Sequence, residues 1–348
     1  MPMPVTPITP SPLTTAPLLA VRDLCIHLPT PHGMVQAVRS VSFTLARGDT
    51  LGLVGESGSG KSLTALALLG LLPDNAQMSG SIQLNGQELI GQSDTTLCRI
   101  RGRRIAMVFQ EPMSALNPVH PIGRQVAEPL RLHHGLSARA ARTQALALLA
   151  RVGISAQRID QYPHQFSGGQ RQRITIAMAL AGQPDVLVAD EPTTALDTTV
   201  QQHILTLIQD LVRERGMALL LVSHDLGLIA RNADRMLVMY GGTVVEAGPT
   251  TAVFKALAHP NTRGLLAARP QLTAPPTQPN SPRPRLPTIP GNVPELHNIP
   301  PGCPFAGRCP HTQPPCHSTR PPLVNIGAAD TTNTHTAHQA RCLRLEDI

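Results

Sequence analysis

The stretch GESGSGKS, residues 55–62, decides the fold of this chain. It follows the short apolar run TLGLVG and leads into KSLTALALLGLL, which has helical spacing, so the order is strand, glycine loop, helix. In such a loop the glycines let backbone N–H groups turn toward the phosphates of a nucleotide, and the dipole of the following helix favours the same anion. This pattern alone arises by chance in about 1 chain in 100 of this length, so a nucleotide site needs the support of further motifs.

Every residue of this loop is a candidate nucleotide contact. We expect Lys61 to place its ammonium against the β- and γ-phosphates, and the hydroxyl of Ser62 to bind Mg²⁺. The predicted ATP-binding residues of the loop are Gly55, Glu56, Ser57, Gly58, Ser59, Gly60, Lys61 and Ser62.

Two later motifs support a nucleotide site. FSGGQ at 166–170 precedes VLVADEP at 186–192, in which Asp190 and Glu191 end an apolar strand. Ligands of parallel α/β sheets bind at the carboxyl ends of the strands, so we expect Asp190 to contact Mg²⁺ directly or through water. Glu191 is then the candidate for orienting and deprotonating the attacking water. An acidic pair at a strand end is often only a solvated turn, but the three motifs in this order make that interpretation unattractive.

The chain divides by composition into three parts. Residues 1–17 are rich in Pro and Thr and are predicted to be disordered. Residues 18–268 alternate short apolar strands with helical patterns, which predicts an α/β domain with a doubly wound, largely parallel sheet and a helical insertion at about 111–180. Residues 269–348 are predicted to form a Pro-rich linker followed by a small cysteine-containing cap.

Composition limits the classes of function. The 348 residues allow about two domains, and aromatic residues make up only 2% of them, with no Trp. The net charge of +7 comes mostly from Arg scattered singly along the chain. Without a basic block or aromatic platforms, a nucleic-acid partner is disfavoured, and a surface facing phosphate-rich membrane or nucleotide is favoured. No secretory signal and no apolar run long enough to span a membrane is visible, so we expect a soluble chain.

Together these motifs resemble those of the ATP-binding subunits of ABC transporters, and within them the subunits of dipeptide, oligopeptide and nickel importers, over about residues 18–345. The resemblance implies a P-loop ABC ATPase cassette with a mainly parallel core sheet, an antiparallel β subdomain and a helical subdomain. It implies ATP and Mg²⁺ as cofactors and a second ABC ATPase subunit, which we expect to be a homologous but different chain. It also implies two transmembrane permease subunits, an extracytoplasmic solute-binding protein and a peripheral location on the cytoplasmic face of the inner membrane.

The resemblance assigns roles to further residues. Gln110, in VFQEPMSALNP, would touch Mg²⁺ or water and couple to the membrane subunits, and His224, in LLVSHD, would contact the γ-phosphate. With Glu191 these two complete the predicted catalytic set. A second group would reach the nucleotide bound to the opposite subunit, and comprises Ser167, Gly168, Gly169 and Gln170 of the signature motif together with Asp197 of TTALD.

One feature departs from the family. Its members often stack adenine on an aromatic ring upstream of the phosphate loop, whereas the corresponding stretch here is CIHLPTP. We therefore expect His27 or Leu28 to contact the base in place of a ring.

The last fifty residues hold Cys303, Cys309, Cys316 and Cys342, with Pro and Gly around the first two. Four thiolates suit tetrahedral zinc or an iron–sulfur cluster, and the absence of a C-x-x-C pair favours iron. The resemblance implies a [4Fe–4S] cluster, while zinc and unliganded or disulfide-prone cysteines stay open. His335 and His338 could replace one ligand, although we expect them to be solvated loop residues.

The sequence thus predicts an ATP-hydrolysing subunit that energises the import of di- or oligopeptides. The alternatives are an importer ATPase of the same family for nickel or another solute, and an ABC ATPase acting on nucleic acid. The last class usually carries a long coiled coil, two cassettes in one chain or an inserted zinc finger, and none of these is apparent here.

Overall fold

The structure is a computed structural model that describes residues 16–31, 33–194, 196–269, 287–327 and 337–347. Residues 1–15 of the segment predicted to be disordered, and most of the predicted linker, therefore lie outside the described residues. The strands are β1 Leu19–Thr30, β2 Gly33–Leu45, β3 Thr50–Gly55, β4 Gln77–Leu84, β5 Gln87–Glu88, β6 Ile105–Val108, β7 Val186–Asp190, β8 Ala218–Ser223, β9 Arg235–Tyr240, β10 Thr243–Pro249, β11 Val324–Asn325 and β12 Gln339–Ala340. The helices are α1 Lys61–Leu68, α2 Asp94–Ile100, α3 Pro112–Ala115, α4 Ile122–His134, α5 Ala138–Arg151, α6 Gly168–Ala181, α7 Thr198–Arg215, α8 Leu226–Asn232, α9 Thr250–Ala256, α10 Pro260–Ala267 and α11 Pro314–Ser318.

A central sheet with the strand order β11-β12-β10-β9-β3-β8-β7-β6 organises the molecule. The five strands from β9 to β6 are parallel, and β10 pairs antiparallel with β9. Strands β7 and β8 are buried along their whole length, which explains why VLVAD and ALLLVS read as continuous apolar runs rather than alternating ones. The predicted largely parallel α/β core sheet is confirmed.

A second sheet is antiparallel, with the order β2-β1-β4-β5. Its inner side chains share one hydrophobic core with one face of the central sheet and with α1; Leu24, Leu53 and Leu68 are all buried there. This sheet therefore packs beside the strand that leads into the phosphate loop, and it matches the antiparallel β subdomain implied by the resemblance.

Helices α4, α5 and α6 lie over the other face of the central sheet, where Ile122, Leu149 and Ile174 are buried in a second core. Burial at helical spacing along α4 and α6 explains why the sequence pattern predicted helices here. The exact limits of the helical subdomain, about 111–180, stay a prediction.

Part of the C-terminal region extends the central sheet. Strand β12 pairs antiparallel with β10, Glu246 opposite Ala340, and β11 pairs with β12. These strands have only two residues each, which is too short for an alternating pattern to show in the sequence.

A buried carboxylate fastens this extension. Glu246 is fully buried and accepts hydrogen bonds from the backbone N–H groups of Ala258 (2.7 Å) and His259 (3.0 Å). It also accepts one from Nε2 of His338 at 2.7 Å. His338 is therefore a buried partner of Glu246, and the expectation that it is a solvated loop residue is wrong; His335 lies outside the described residues.

Within the part of the chain that the structure describes, no helix combines the length and the apolar character needed to cross a lipid bilayer.

Candidate nucleotide-binding site

Four of the predicted segments converge because each follows the carboxyl end of a parallel strand. The phosphate loop follows β3, Gln110 follows β6, Glu191 follows β7 and His224 follows β8. In a parallel sheet these ends lie along one edge, so residues up to 169 positions apart in sequence, from Gly55 to His224, share one site.

The phosphate loop has the backbone that its glycines predict. Gly58 and Gly60 have φ values of 78° and 98°, in the left-handed region that L side chains rarely adopt. Gly60 also caps the N-terminus of α1, whose first turn contains no acidic residue. The loop therefore ends on free helix N–H groups with a positive dipole, which is the arrangement that binds phosphate.

Lys61 is buried and its ammonium donates to the carbonyl oxygens of Gly55 (2.8 Å) and Glu56 (3.0 Å). Burial lowers the pKa of Lys61, and the neighbouring carboxylates of Glu191, Asp190 and Glu56 act in the opposite direction. A buried cation held by neutral carbonyls gains most from an incoming anion, so this side chain fits a phosphate ligand.

Asp190 and Ser62 form the candidate magnesium pair. The hydroxyl of Ser62 donates to Oδ1 of Asp190 at 3.2 Å, and Asp190 is only 5% exposed. Burial raises the pKa of Asp190, which a hard divalent cation would reverse. The hydroxyl of Ser59 is buried in the loop and has no hydrogen-bond partner among the described residues. These donors fit a phosphate–Mg²⁺ ligand.

Glu191 joins the predicted catalytic residues at one oxygen atom. Its Oε2 faces Nδ1 of His224 at 3.0 Å and accepts a weaker bond from Nε2 of Gln110 at 3.4 Å. The hydroxyl of Thr194 donates to the same oxygen at 2.9 Å. The structure thus brings Gln110, Glu191 and His224 together, and it adds Thr194, which the sequence analysis missed although it lies three positions after Glu191.

The backbone at Glu191 is unusual. Its φ of 45° lies in the left-handed region, which for a residue other than Gly costs about 1–3 kcal/mol. The conformation is held by its N–H, which donates to Val222 (3.0 Å), and by its carbonyl, which accepts from the N–H of Thr194 (3.2 Å). This turn lets Glu191 leave the strand direction of Asp190, so the two adjacent carboxylates serve different partners.

The signature residues lie at an exposed helix N-terminus. Ser167 caps α6 by accepting from the N–H of Gln170 (3.4 Å), whose side chain accepts from the N–H of Ser167 (3.1 Å). Asp197 caps the neighbouring helix α7 by accepting from the N–H of Val200 at 2.9 Å. A Cβ on Gly169 would come within 2.8 Å of Val200, so the two helix starts lie side by side on one exposed face.

Leu28 lies in β1 opposite Val35 and packs, partly exposed, against the core beneath the antiparallel sheet. The strand pairing and burial of Leu28 do not show whether it binds adenine, so this contact stays a prediction.

The four C-terminal cysteines line one small cavity together with Phe305 and His259. Burial raises the pKa of Cys303 to about 11, and nearby Cys342, Cys309 and Cys316 act in the same direction. Among the described residues, no group of three or more His, Cys, Asp or Glu side chains is placed to hold a metal ion. The set of sulfur donors fits a soft metal, but the coordination geometry itself is not present.

Comparison with known proteins decides the family. The family profile described as ABC transporter matches residues 38–194, and the profile of the oligopeptide/dipeptide transporter C-terminal region matches residues 245–316. A protein of Brucella abortus is 52% identical over 318 residues, covering 90% of this chain and 94% of its own length. The chain belongs to the ATP-binding subunits of ABC transporters. This subunit is an ATP hydrolase of the transport type, with ATP and Mg²⁺ as its cofactors.

A second relative and two solved structures support the same family and fold for this ABC subunit. A Brucella melitensis protein is 46% identical over 345 residues, covering 97% of this chain and 99% of its own, and both Brucella proteins carry the provisional name of peptide import ATP-binding protein. Among solved structures, a dimeric ATP-binding cassette in a post-hydrolysis state with ADP and Pi is 27% identical with a TM-score of 0.61, covering 67% of this chain and 98% of that one. The cbiO1 protein of Clostridium perfringens, part of an ABC transporter complex, is 27% identical with a TM-score of 0.59, covering 69% and 91%. The predicted ABC cassette fold is confirmed.

Proposed function

We propose that this ABC subunit hydrolyses ATP to drive the import of di- or oligopeptides. The observation that carries the proposal is the C-terminal region at 245–316, which matches that of oligopeptide and dipeptide transporters. The names of the Brucella relatives point to the same substrate class.

The chemistry is phosphoryl transfer to water, for which positioning and charge neutralisation matter most. Lys61 neutralises the β- and γ-phosphates, and Ser62, Asp190 and Gln110 would hold Mg²⁺, which would supply further positive charge beside these phosphates. Glu191 orients the attacking water and accepts its proton, while His224, bonded to Glu191, contacts the γ-phosphate. The shared oxygen of Glu191 supports these roles, because it places a base, a histidine and an amide within one hydrogen-bonded unit.

The signature residues Ser167–Gln170 and Asp197 serve the nucleotide of a second ATPase subunit. Their place at the exposed start of α6, a 14-residue helix, supports this role, because such a helix N-terminus attracts a phosphate presented from outside the chain. The second subunit is a homologous but different chain. ATP binds between the two subunits and stabilises their closed arrangement, and its hydrolysis releases them.

The helices α3 to α6 pass this motion to two transmembrane permease subunits, and an extracytoplasmic solute-binding protein delivers the substrate. The ABC subunit itself lies at the cytoplasmic face of the inner membrane, attached through the permease, and binds no nucleic acid. The match of the C-terminal region to the profile of oligopeptide/dipeptide transporters favours peptide import over nickel import.

An uptake assay tests the function. In cells whose only copy carries Glu191→Gln, we expect uptake of labelled di- and oligopeptides to fall to background while uptake of nickel ion is unchanged. Loss of nickel uptake alone would move the subunit to the metal branch. Survival of all three uptakes, together with salt-sensitive binding of duplex DNA, would contradict the import role.

We also propose that Cys303, Cys309, Cys316 and Cys342 hold a [4Fe–4S] cluster. All four line one cavity, and burial together with neighbouring cysteines raises the pKa of Cys303, Cys309 and Cys342, an effect that a bound cation reverses. A single zinc ion requires four sulfurs about 2.3 Å from one point. Four cysteine sulfurs also suit a [4Fe–4S] cluster, which is the occupant that the family resemblance implies.

Purification without oxygen tests the cluster. We expect the subunit to absorb at about 400 nm and to contain about four iron atoms per chain, and replacement of the four cysteines by Ser to abolish both. Cys98→Ser, at an exposed cysteine of α2, is the matched control and should keep the colour. Stoichiometric zinc without colour, or colour that survives the four replacements, would contradict the assignment.

A further inference from the structure

An arginine from the cysteine-containing region reaches into the phosphate loop. Nη1 of Arg308 donates to both carboxylate oxygens of Glu56, at 2.9 and 2.8 Å, across 252 residues of sequence. The side chain of Arg308 is 8% exposed and that of Glu56 is 20% exposed. This pair is therefore shielded from solvent, unlike surface ion pairs, and its electrostatic interaction is correspondingly strong.

Arg308 is held in this position from several sides. Its Nε donates to the carbonyl of Pro290 at 2.9 Å, and Nη1 donates to the hydroxyl of Tyr240 at 3.2 Å. The guanidinium also lies near the rings of Tyr240 and Phe305, which meet edge to face at 5.1 Å and are almost fully buried. The arginine is thus held in place by Pro290 and by the buried side chains of Tyr240 and Phe305.

Glu56 transmits this contact to the nucleotide site. While its side chain binds Arg308, its backbone carbonyl accepts from Lys61 Nζ (3.0 Å) and from the N–H of Ser59 (3.2 Å). Fixing the side chain of Glu56 therefore fixes the carbonyl that holds the phosphate-binding lysine. Without Arg308, the carboxylate of Glu56 would stand as an uncompensated negative charge in a loop that must accept a triphosphate.

We propose that Arg308 is a positioning residue of the nucleotide site. It neutralises Glu56 and fixes the start of the phosphate loop, so the cysteine-containing region sets the affinity of the ATPase for Mg²⁺·ATP. Arg308 immediately precedes Cys309, and Phe305 lies between Cys303 and Cys309. We therefore expect a structural change at these cysteines to be transmitted to the phosphate loop through Phe305 and Arg308.

Titration of the full-length chain with Mg²⁺ and a fluorescent ATP analogue tests the proposal. We expect Arg308→Ala to raise Kd about ten-fold, because one negative charge near the phosphates is left unpaired. Arg308→Lys, which keeps the positive charge, should raise Kd by about three-fold or less. In steady-state hydrolysis by the assembled transporter, Arg308→Ala should raise KM for ATP by the same factor and leave kcat unchanged, because the Glu191 cluster is untouched.

A double-mutant cycle separates this role from a structural one. In the background Glu56→Gln, adding Arg308→Ala should change Kd by less than about two-fold, since the charge that Arg308 neutralises is gone. The matched control is Arg320→Ala, which removes an arginine of the same region that donates to the carbonyl of Arg39 (3.4 Å) and to the hydroxyl of Thr243 (3.3 Å). It should leave Kd unchanged.

Two results would overturn the proposal. One is an unchanged Kd in Arg308→Ala. The other is a ten-fold loss that persists in the Glu56→Gln background, which would assign the effect to lost packing around Tyr240 and Phe305. Thermal unfolding of each variant shows whether it is folded at the temperature of the titration.

Discussion

Replacing Glu191 by Gln is expected to lower the rate of ATP hydrolysis at least about 100-fold while leaving ATP binding within about two-fold. A positioned general base contributes about 10²–10⁴ to a rate. Gln retains the shape of Glu191 and its hydrogen bond from Thr194, but an amide cannot accept the proton of the attacking water. Because binding survives and hydrolysis does not, the variant should accumulate as a closed dimer with ATP.

The measurement is phosphate release by the assembled transporter, together with the molecular mass of the purified subunit in the presence of Mg²⁺·ATP. Glu214→Gln is the matched control, since it neutralises an exposed carboxylate at the end of α7. This carboxylate pairs with Arg151 and has no contact with Glu191, Gln110 or His224 among the described interactions. Turnover that is unchanged in Glu191→Gln would remove Glu191 from its assigned role and leave His224 as the residue that accepts the proton of the attacking water.

Replacing Glu246 by Ala is expected to lower the free energy of unfolding by about 3–5 kcal/mol. The change leaves His338 and the N–H groups of Ala258 and His259 buried without their acceptor, and breaking a buried charged network by removing one partner costs about this much. It also removes the contact that fastens β12 beside β10, so the C-terminal region should detach first. Urea unfolding measures the loss, and limited proteolysis should cut the C-terminal region before the rest of the chain.

The same network gives a dependence on pH. Burial opposes the charge of Glu246, but the hydrogen bonds from His338 and from the N–H groups of His259 and Ala258 outweigh it, and the pKa of Glu246 lies below its usual value. The stabilisation is therefore fully present above the pKa of an unfolded Glu, about 4.3, and is lost as pH falls through the lower folded value.

In Glu246→Gln, the free energy of unfolding should no longer fall with pH through the titration of this residue. Glu295→Gln, at an exposed carboxylate next to His297, should unfold with acid as the parent chain does. Equal acid sensitivity of Glu246→Gln and the parent would show that the network carries no ionised carboxylate.

The sequence by itself determined the features that depend on contiguous residues. The phosphate loop needs glycine at Gly58 and Gly60 because the backbone there is left-handed, and a glycine requirement is visible in sequence without knowing any distant neighbour. The same holds for the buried strand that ends at Asp190. These local patterns were sufficient to predict the ABC cassette and its nucleotide site.

Only the tertiary structure decided which distant residues touch. Gln110, Glu191 and His224 meet at one oxygen because three parallel strands end at one edge of the sheet, and no single residue pattern encodes that distance. Arg308 contacts Glu56, and His338 is buried against Glu246, only because segments far apart in sequence pack together. The strength of these contacts depends on burial and on the orientation of two side chains, which arise only when separate segments pack together.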